Sequence, residues 1–205
     1  MLHSLSVKVA HFLYAKKAID NKYFDVYVYG VELIISSAIG LFLVFIISLL
    51  LNELLFGFVF YLCFVSLRHY TGGLHCNSYL RCNATFVFSY LMCLLFDYFL
   101  EVYTYLQWLL IPLGVVSFIV ILLFAPIENV NKPIEDRDRK KFKIISVIIF
   151  ALHILIMFID LLFFMKIYRT IIITDFLVAI LILLGYQKYK KEVKLWNLLR
   201  LLLIV

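Results

Sequence analysis

Residues 31–51 form a run of 21 residues with one charged side chain, Glu32, in its first turn. A helix of that length matches the roughly 30 Å hydrocarbon core of a bilayer, and a water-soluble domain has little use for so long an apolar run. Five more such runs follow, at 54–67, 84–100, 102–127, 144–165 and 170–187. Together the six occupy more than half of the 205 residues. Hydrophobic residues make up 65% of the chain, against about 45–50% in soluble domains, so one aqueous core could not enclose them. Disorder, coiled coil, collagen and a disulfide scaffold are excluded, because apolar residues abound, heptads are absent and there are only four cysteines. The expected fold is all-α: a single polytopic membrane domain over 1–205 with six transmembrane helices. The 54–67 run is short for a crossing, which leaves a re-entrant segment as its alternative.

The net charge of +6 has a sidedness that fixes the topology. Lys8, Lys16, Lys17 and Lys22 precede the first run, and Arg68 and Arg81 follow the second. Lys132, Arg137, Arg139, Lys140, Lys141 and Lys143 follow the fourth, and Lys188, Lys190, Lys191, Lys194 and Arg200 follow the sixth. These are 17 of the 19 basic residues, and only Lys166 and Arg169 fall in the other gaps. Lysine and arginine in short loops stay on the cytoplasmic side, so both termini are expected inside and the second run is expected to cross. Residues 1–30 read as an N-terminal interfacial segment, with Leu5, Val9, Phe12 and Leu13 on one stripe. They lack the layout of a cleavable signal peptide. Residues 188–205 read as a C-terminal interfacial segment that carries Trp196.

Polar groups inside the apolar slab are where function is sought first. Asp97, Asp160 and Asp175 stand near the ends of runs, where interfacial placement or structural pairing explains them. His153 has no carboxylate or second histidine at helical spacing and reads as a buried, hydrogen-bonded side chain. Cys63 and Cys93 lie within runs, where a thiol is usually a small apolar filler. Neither a metal-ligand motif nor a phosphate-cradling glycine loop occurs, so no metal or cofactor is expected, and nothing points to nucleic acid.

The segment 68–82 is different in kind. Arg68, Gly72, Gly73, His75, Cys76, Arg81 and Cys82 fall within 15 residues. Adjacent glycines supply a turn or a close backbone approach. Cytoplasmic thiols stay reduced, and an imidazole beside a thiol can lower its pKa from about 8.5 and make a nucleophile of it. Cys76 adjoins His75, but neighbouring side chains diverge. Cys82 is seven residues on, about 10.5 Å along a helix, so that pair requires the chain between to bend. Spacing leaves both thiols open, and an ordinary basic loop is the bland alternative.

Arg68, then Gly72-Gly73-x-His75, then Arg81-Cys82 resemble the accessory gene regulator B (AgrB) membrane peptidases of Gram-positive quorum sensing. A second block, Ala125-Pro126 followed by Asn131-Lys132-Pro133-Ile134, is similar to the inner loop of that family, within a basic segment 126–143. The resemblance implies a membrane cysteine endopeptidase with His75 and Cys82 as the catalytic dyad. Arg68, Gly72, Gly73 and Arg81 would support it. The implied partner is an AgrD-like precursor with an amphipathic leader, a central Cys or Ser, and an acidic C-terminal tail. Cys82 would cut before the tail, and the precursor's own Cys or Ser would displace Cys82 to close a thiolactone or lactone. Lys132, Arg137, Arg139, Lys140 and Lys141 are candidates for holding the tail, although topology and anionic lipid account for such charges equally well. A homodimer in lipid is also implied. A non-enzymatic exporter or a peptide-presenting scaffold is the competing expectation.

Overall fold

The computed structural model describes residues 2–74, 76, 78–128, 134–163 and 166–202, with side chains described for all of these except Asp136 and 193–202. His75, Lys132 and the Asn131-Lys132-Pro133 stretch lie outside the described residues, as does the side chain of Trp196. Among the described residues seven helices follow one another: α1 (Leu2–Ala15), α2 (Phe24–Leu50), α3 (Leu54–Thr71), α4 (Tyr79–Val102), α5 (Leu110–Phe124), α6 (Asp136–Phe163) and α7 (Ile167–Leu202). Short 3₁₀ turns at Asn21–Tyr23 and Thr104–Leu109 lead into α2 and α5. Six helical segments are long and apolar enough to cross a membrane, which makes the protein an all-α, multi-pass membrane domain.

Where helices begin and end differs from the apolar runs in informative ways. The run at 54–67 belongs to an 18-residue helix, because Arg68–Thr71 extend α3 beyond the apolar part. That length, about 27 Å, suits a crossing. α4 starts at Tyr79, five residues before its apolar run, with Ser78 as N-cap: the Ser78 side chain accepts from the Arg81 N–H. Segment 68–82 is therefore not one loop but a helix end, a seven-residue connection and a helix start. α7 runs on without a break from the membrane span into the segment read as a separate interfacial tail, so over at least 188–202 that tail is a continuation of α7. At 36 residues it is about 54 Å long, far more than the slab requires.

α7 is the most enclosed span and packs against α3, α4, α5 and α6. Without a hydrophobic drive between helices in lipid, close approach depends on small residues and interhelical hydrogen bonds. Gly57 of α3 lies directly on Ser48 of α2, and the Ser48 and Tyr90 hydroxyls stand 2.7 Å apart. Phe60, Phe64, Phe86 and Tyr90 pack between α3 and α4 with their rings tilted or edge-on to one another. At the end of the bundle away from the 72–78 connection, Arg169 grips Asp97 with two hydrogen bonds of 2.8 and 3.1 Å. Asp160 there accepts the Tyr168 N–H at 2.9 Å. Mid-span, His153 Nδ1 stands 2.8 Å from Asp175, with Ser66 3.3 Å from Nε2, and His153 and Asp175 are buried. The expected buried, bonded histidine is thus what α6 holds. For Asp97 and Asp175 structural pairing, rather than simple interfacial placement, is the explanation.

Candidate active site

Four chain segments meet at the end of α3. The helix stops at Gly72, whose φ of +66° and ψ of −146° belong to a region essentially reserved for glycine. The Ile127 N–H donates to the Thr71 carbonyl at 2.9 Å, forming a short parallel bridge between Gly72 and Ile127, just after the cis Ala125–Pro126 bond. A Cβ on Gly72 would run into the Ile127 carbonyl. Gly73, at φ +127°, lies against the Arg68 guanidinium and 3.0 Å, at its would-be Cβ, from the Leu181 carbonyl of α7. The Leu74 N–H donates to that same Leu181 carbonyl at 2.9 Å. Gly185, one turn along α7, has no Cβ because Leu74 N would be 2.6 Å from it. The paired glycines therefore let the chain leave α3 between Ile127 and α7.

Arg68 secures the exit. It reaches forward from the last turns of α3, donating from Nη1 to the Gly72 carbonyl at 2.9 Å and from Nη2 to the Leu74 carbonyl. A planar guanidinium suits two carbonyls presented side by side. The half-buried Cys76 places its sulfur 3.6 Å from the Thr85 hydroxyl, over the first turns of α4. Cys82 is exposed on the first turn of α4, and its N–H donates to the Ser78 carbonyl at 3.0 Å. The positive end of the α4 dipole thus lies beside this thiol. The Gly72 and Leu74 amides donate to the Arg68 and Leu181 carbonyls.

Arg68, Gly72 and Gly73 are in direct contact, Cys76 lies against Thr85 of the helix that carries Cys82, and Arg81 is exposed beside Cys82 in sequence. The basic candidates stand further along: Arg137, Arg139, Lys140 and Lys141 are exposed on α6, and Arg139 is paired with Glu128. Glu128 also accepts from the Tyr189 hydroxyl at 3.1 Å, which ties α7 to the start of the basic segment. Among the described residues no group of three or more His, Cys, Asp or Glu could hold a metal ion. Sequence reasoning missed Leu181 and Gly185. Gly185 carried a signal, as a glycine inside an apolar helix, whereas Leu181 contributes only its backbone.

A family model described as accessory gene regulator B matches residues 6–201. An AgrB-like protein of Clostridium perfringens strain SM101 is 28% identical over 146 residues, covering 69% of this chain and 68% of its own length. The accessory gene regulator protein B of Staphylococcus intermedius is 27% identical over 125 residues, 60% of this chain and 64% of its own length. That of Staphylococcus aureus strain JH9 is 24% identical over 148 residues, 72% and 77% respectively. The chain thus spans about two thirds to three quarters of the length of these relatives. No solved structure matches it.

Proposed function

The chain belongs to the accessory gene regulator B family, and on that premise we propose that it is the peptide-processing membrane cysteine endopeptidase of an accessory gene regulator quorum-sensing system. Its substrate is an AgrD-like precursor. The observation that carries the reading is Cys82: an exposed thiol on the first turn of the helix that follows a glycine-lined chain exit clamped by Arg68. Gly72, Gly73 and Arg68 fix where the connection to His75 begins, and α4 fixes the nucleophile.

In the reaction, the Cys82 sulfur attacks the carbonyl that precedes the acidic tail, with His75 taking the thiol proton. The oxyanion develops at the positive end of the α4 dipole, which stabilises it. Collapse expels the tail's amine, protonated by His75, and leaves the leader and central segment on Cys82 as a thioester. A Cys or Ser of the precursor then attacks that carbonyl and expels the Cys82 thiolate, closing a thiolactone or lactone. Exchange of thioester for thiolactone is nearly isoenergetic, whereas water would consume the activated acyl group. A site at the membrane end of a helix bundle, where water is scarce, favours the ring.

By the sidedness of its basic residues this end faces the cytoplasm, where the precursor is made. Arg81, Lys132, Arg137, Lys140 and Lys141 give that end the charge to attract an acidic tail. In the family's manner the protein works as a homodimer in lipid. Co-expression with a precursor tests the proposal: Cys82→Ala and His75→Ala should insert normally and release no tail, and intact mass should find a hydroxylamine-labile acyl adduct on Cys82 in the parent protein. Tail release by Cys82→Ala would sink it.

A further inference from the structure

Glu32 is a buried carboxylate in a membrane-spanning helix, a placement that is costly and asks for partners. Both of its oxygens have one. Oε2 accepts the Tyr79 hydroxyl at 2.7 Å, and Oε1 stands 2.6 Å from His3 Nδ1 on α1. Tyr79 is the first residue of α4, and Cys82 follows it by three, one turn on and on the same flank.

The tie continues along both helices. Ser36, one turn after Glu32, donates to Asn83 Oδ1 at 3.1 Å. Gly40, one turn further, leaves room for Phe86 to pack 3.2 Å from where its Cβ would stand. Residues 32, 36 and 40 share one face of α2, and residues 79, 83 and 86 share one face of α4. The Glu32–Tyr79 and Ser36–Asn83 bonds bracket Cys82 in sequence. Apolar contacts alone would hold the helices together but allow sliding and rotation. Directional hydrogen bonds set the rotation and height of a first turn. A nucleophile must be held to about 0.5 Å, and its supporting contacts decide that.

We propose that Glu32 is a positioning residue: through the Tyr79 hydroxyl, supported by Ser36–Asn83, it sets the register of the α4 first turn and so the line of attack of Cys82, with His3 holding the carboxylate from α1. The proposal rests on Cys82 being the nucleophile. It predicts a defect in the chemical step with precursor binding intact.

The test uses the full-length protein in proteoliposomes with a synthetic precursor, measuring kcat and KM for tail release and, by mass spectrometry, the rate at which iodoacetamide labels Cys82. Tyr79→Phe and Glu32→Leu should lower kcat by about 10²-fold, the cost of misplacing a reacting atom by about 1 Å, with KM little changed. Cys82 labelling should persist, because a small reagent needs access and not alignment. Glu32→Gln keeps an acceptor for the Tyr79 hydroxyl and should recover most of the loss. Parent-like kcat in Tyr79→Phe and Glu32→Leu overturns the proposal. So does a loss carried by KM, or loss of kcat and of Cys82 labelling together, which would make the contact a general tie of the fold. Cys82→Ala separates the two readings: tail release by it removes the nucleophile itself. An inactive Cys82→Ala beside a fully active Tyr79→Phe removes the positioning role alone.

Discussion

The middle of the bundle and its α3–α4 end use the same side chains to opposite effect. In the middle, His153 is closed between Asp175 and Ser66, Cys93 lies 3.6 Å from the Thr174 hydroxyl, and Cys63 is buried on α3. At the end, Cys82 is exposed and Arg68 is occupied with backbone carbonyls that shape a chain exit. A polar group in lipid whose atoms are all matched by neighbouring helices has done its work by holding those helices. Reactive chemistry requires a thiol that a substrate can reach. Residue type alone does not separate the two roles; exposure and partner identity do.

The sharpest break in that comparison is among the four cysteines. Cys82→Ala should lower tail release by at least about 10³-fold, as loss of a nucleophile does. Cys63→Ala and Cys93→Ala should cost about 1–2 kcal/mol of stability through the small cavity left, with release per folded molecule unchanged. Site-resolved alkylation of the intact membrane protein should label Cys82 first and Cys63 and Cys93 last. Labelling of Cys93 ahead of Cys82 would contradict the exposure on which the site rests.

The buried pair comes second. His153→Ala leaves the Asp175 carboxylate without its partner in a low-dielectric interior and should destabilise the protein by about 3 kcal/mol or more. Asp175→Asn retains an acceptor for the imidazole N–H and should cost about 1 kcal/mol. Melting in detergent micelles measures both. The fraction that remains folded should process precursor at the parent rate. A well-folded His153→Ala protein that no longer cuts would make the middle of the bundle part of the site.

How far the sequence disclosed all this depends on the kind of signal. Six crossings were legible because apolar length and basic sidedness are one-dimensional properties, and α3 needed only Arg68–Thr71 to reach full length. The grouping of Arg68, the glycines and Cys82 was legible because all lie within 15 residues. What joins them to the rest was not. Nothing local predicts that Ile127 pairs with Gly72, that Leu181 lends its carbonyl to Leu74, or that Glu32 meets Tyr79 47 residues away. The Ala125-Pro126 block was visible as a likeness, and the bridge to Gly72 follows directly after it. The Asp175–His153 pairing crosses between helices, so helical spacing within α6 could not reveal it.

Glycine packing gives a third, smaller contrast. Gly185 touches the backbone of Gly73 and Leu74, whereas a Cβ on Gly114 would come only within 4.0 Å of Ile172. Gly185→Ala should therefore push the chain exit off α7, costing about 1–3 kcal/mol as overpacking does, with tail release falling further than stability. Gly114→Ala should be close to neutral and serves as the control. If the two variants behave alike in tail release, close approach at α7 does not matter to the site.

The smallest effects belong to the basic face of α6. Arg137, Lys140 and Lys141 are exposed, and an exposed charge acts on a partner mainly through a field that salt screens over about 8 Å at physiological ionic strength. Each one changed to Ala should raise KM for the precursor by no more than about fivefold at low salt, an energy of about 1 kcal/mol, with kcat unaltered. Arg139 is already engaged with Glu128, so Arg139→Ala should do less to KM than its neighbours. Raising the salt should erase the differences among these variants. The His153–Asp175 pair, shielded from solvent, should hold its contribution to stability through the same titration. If removing these charges leaves KM unchanged at every salt concentration, their role is reduced to fixing which side of the membrane the site faces.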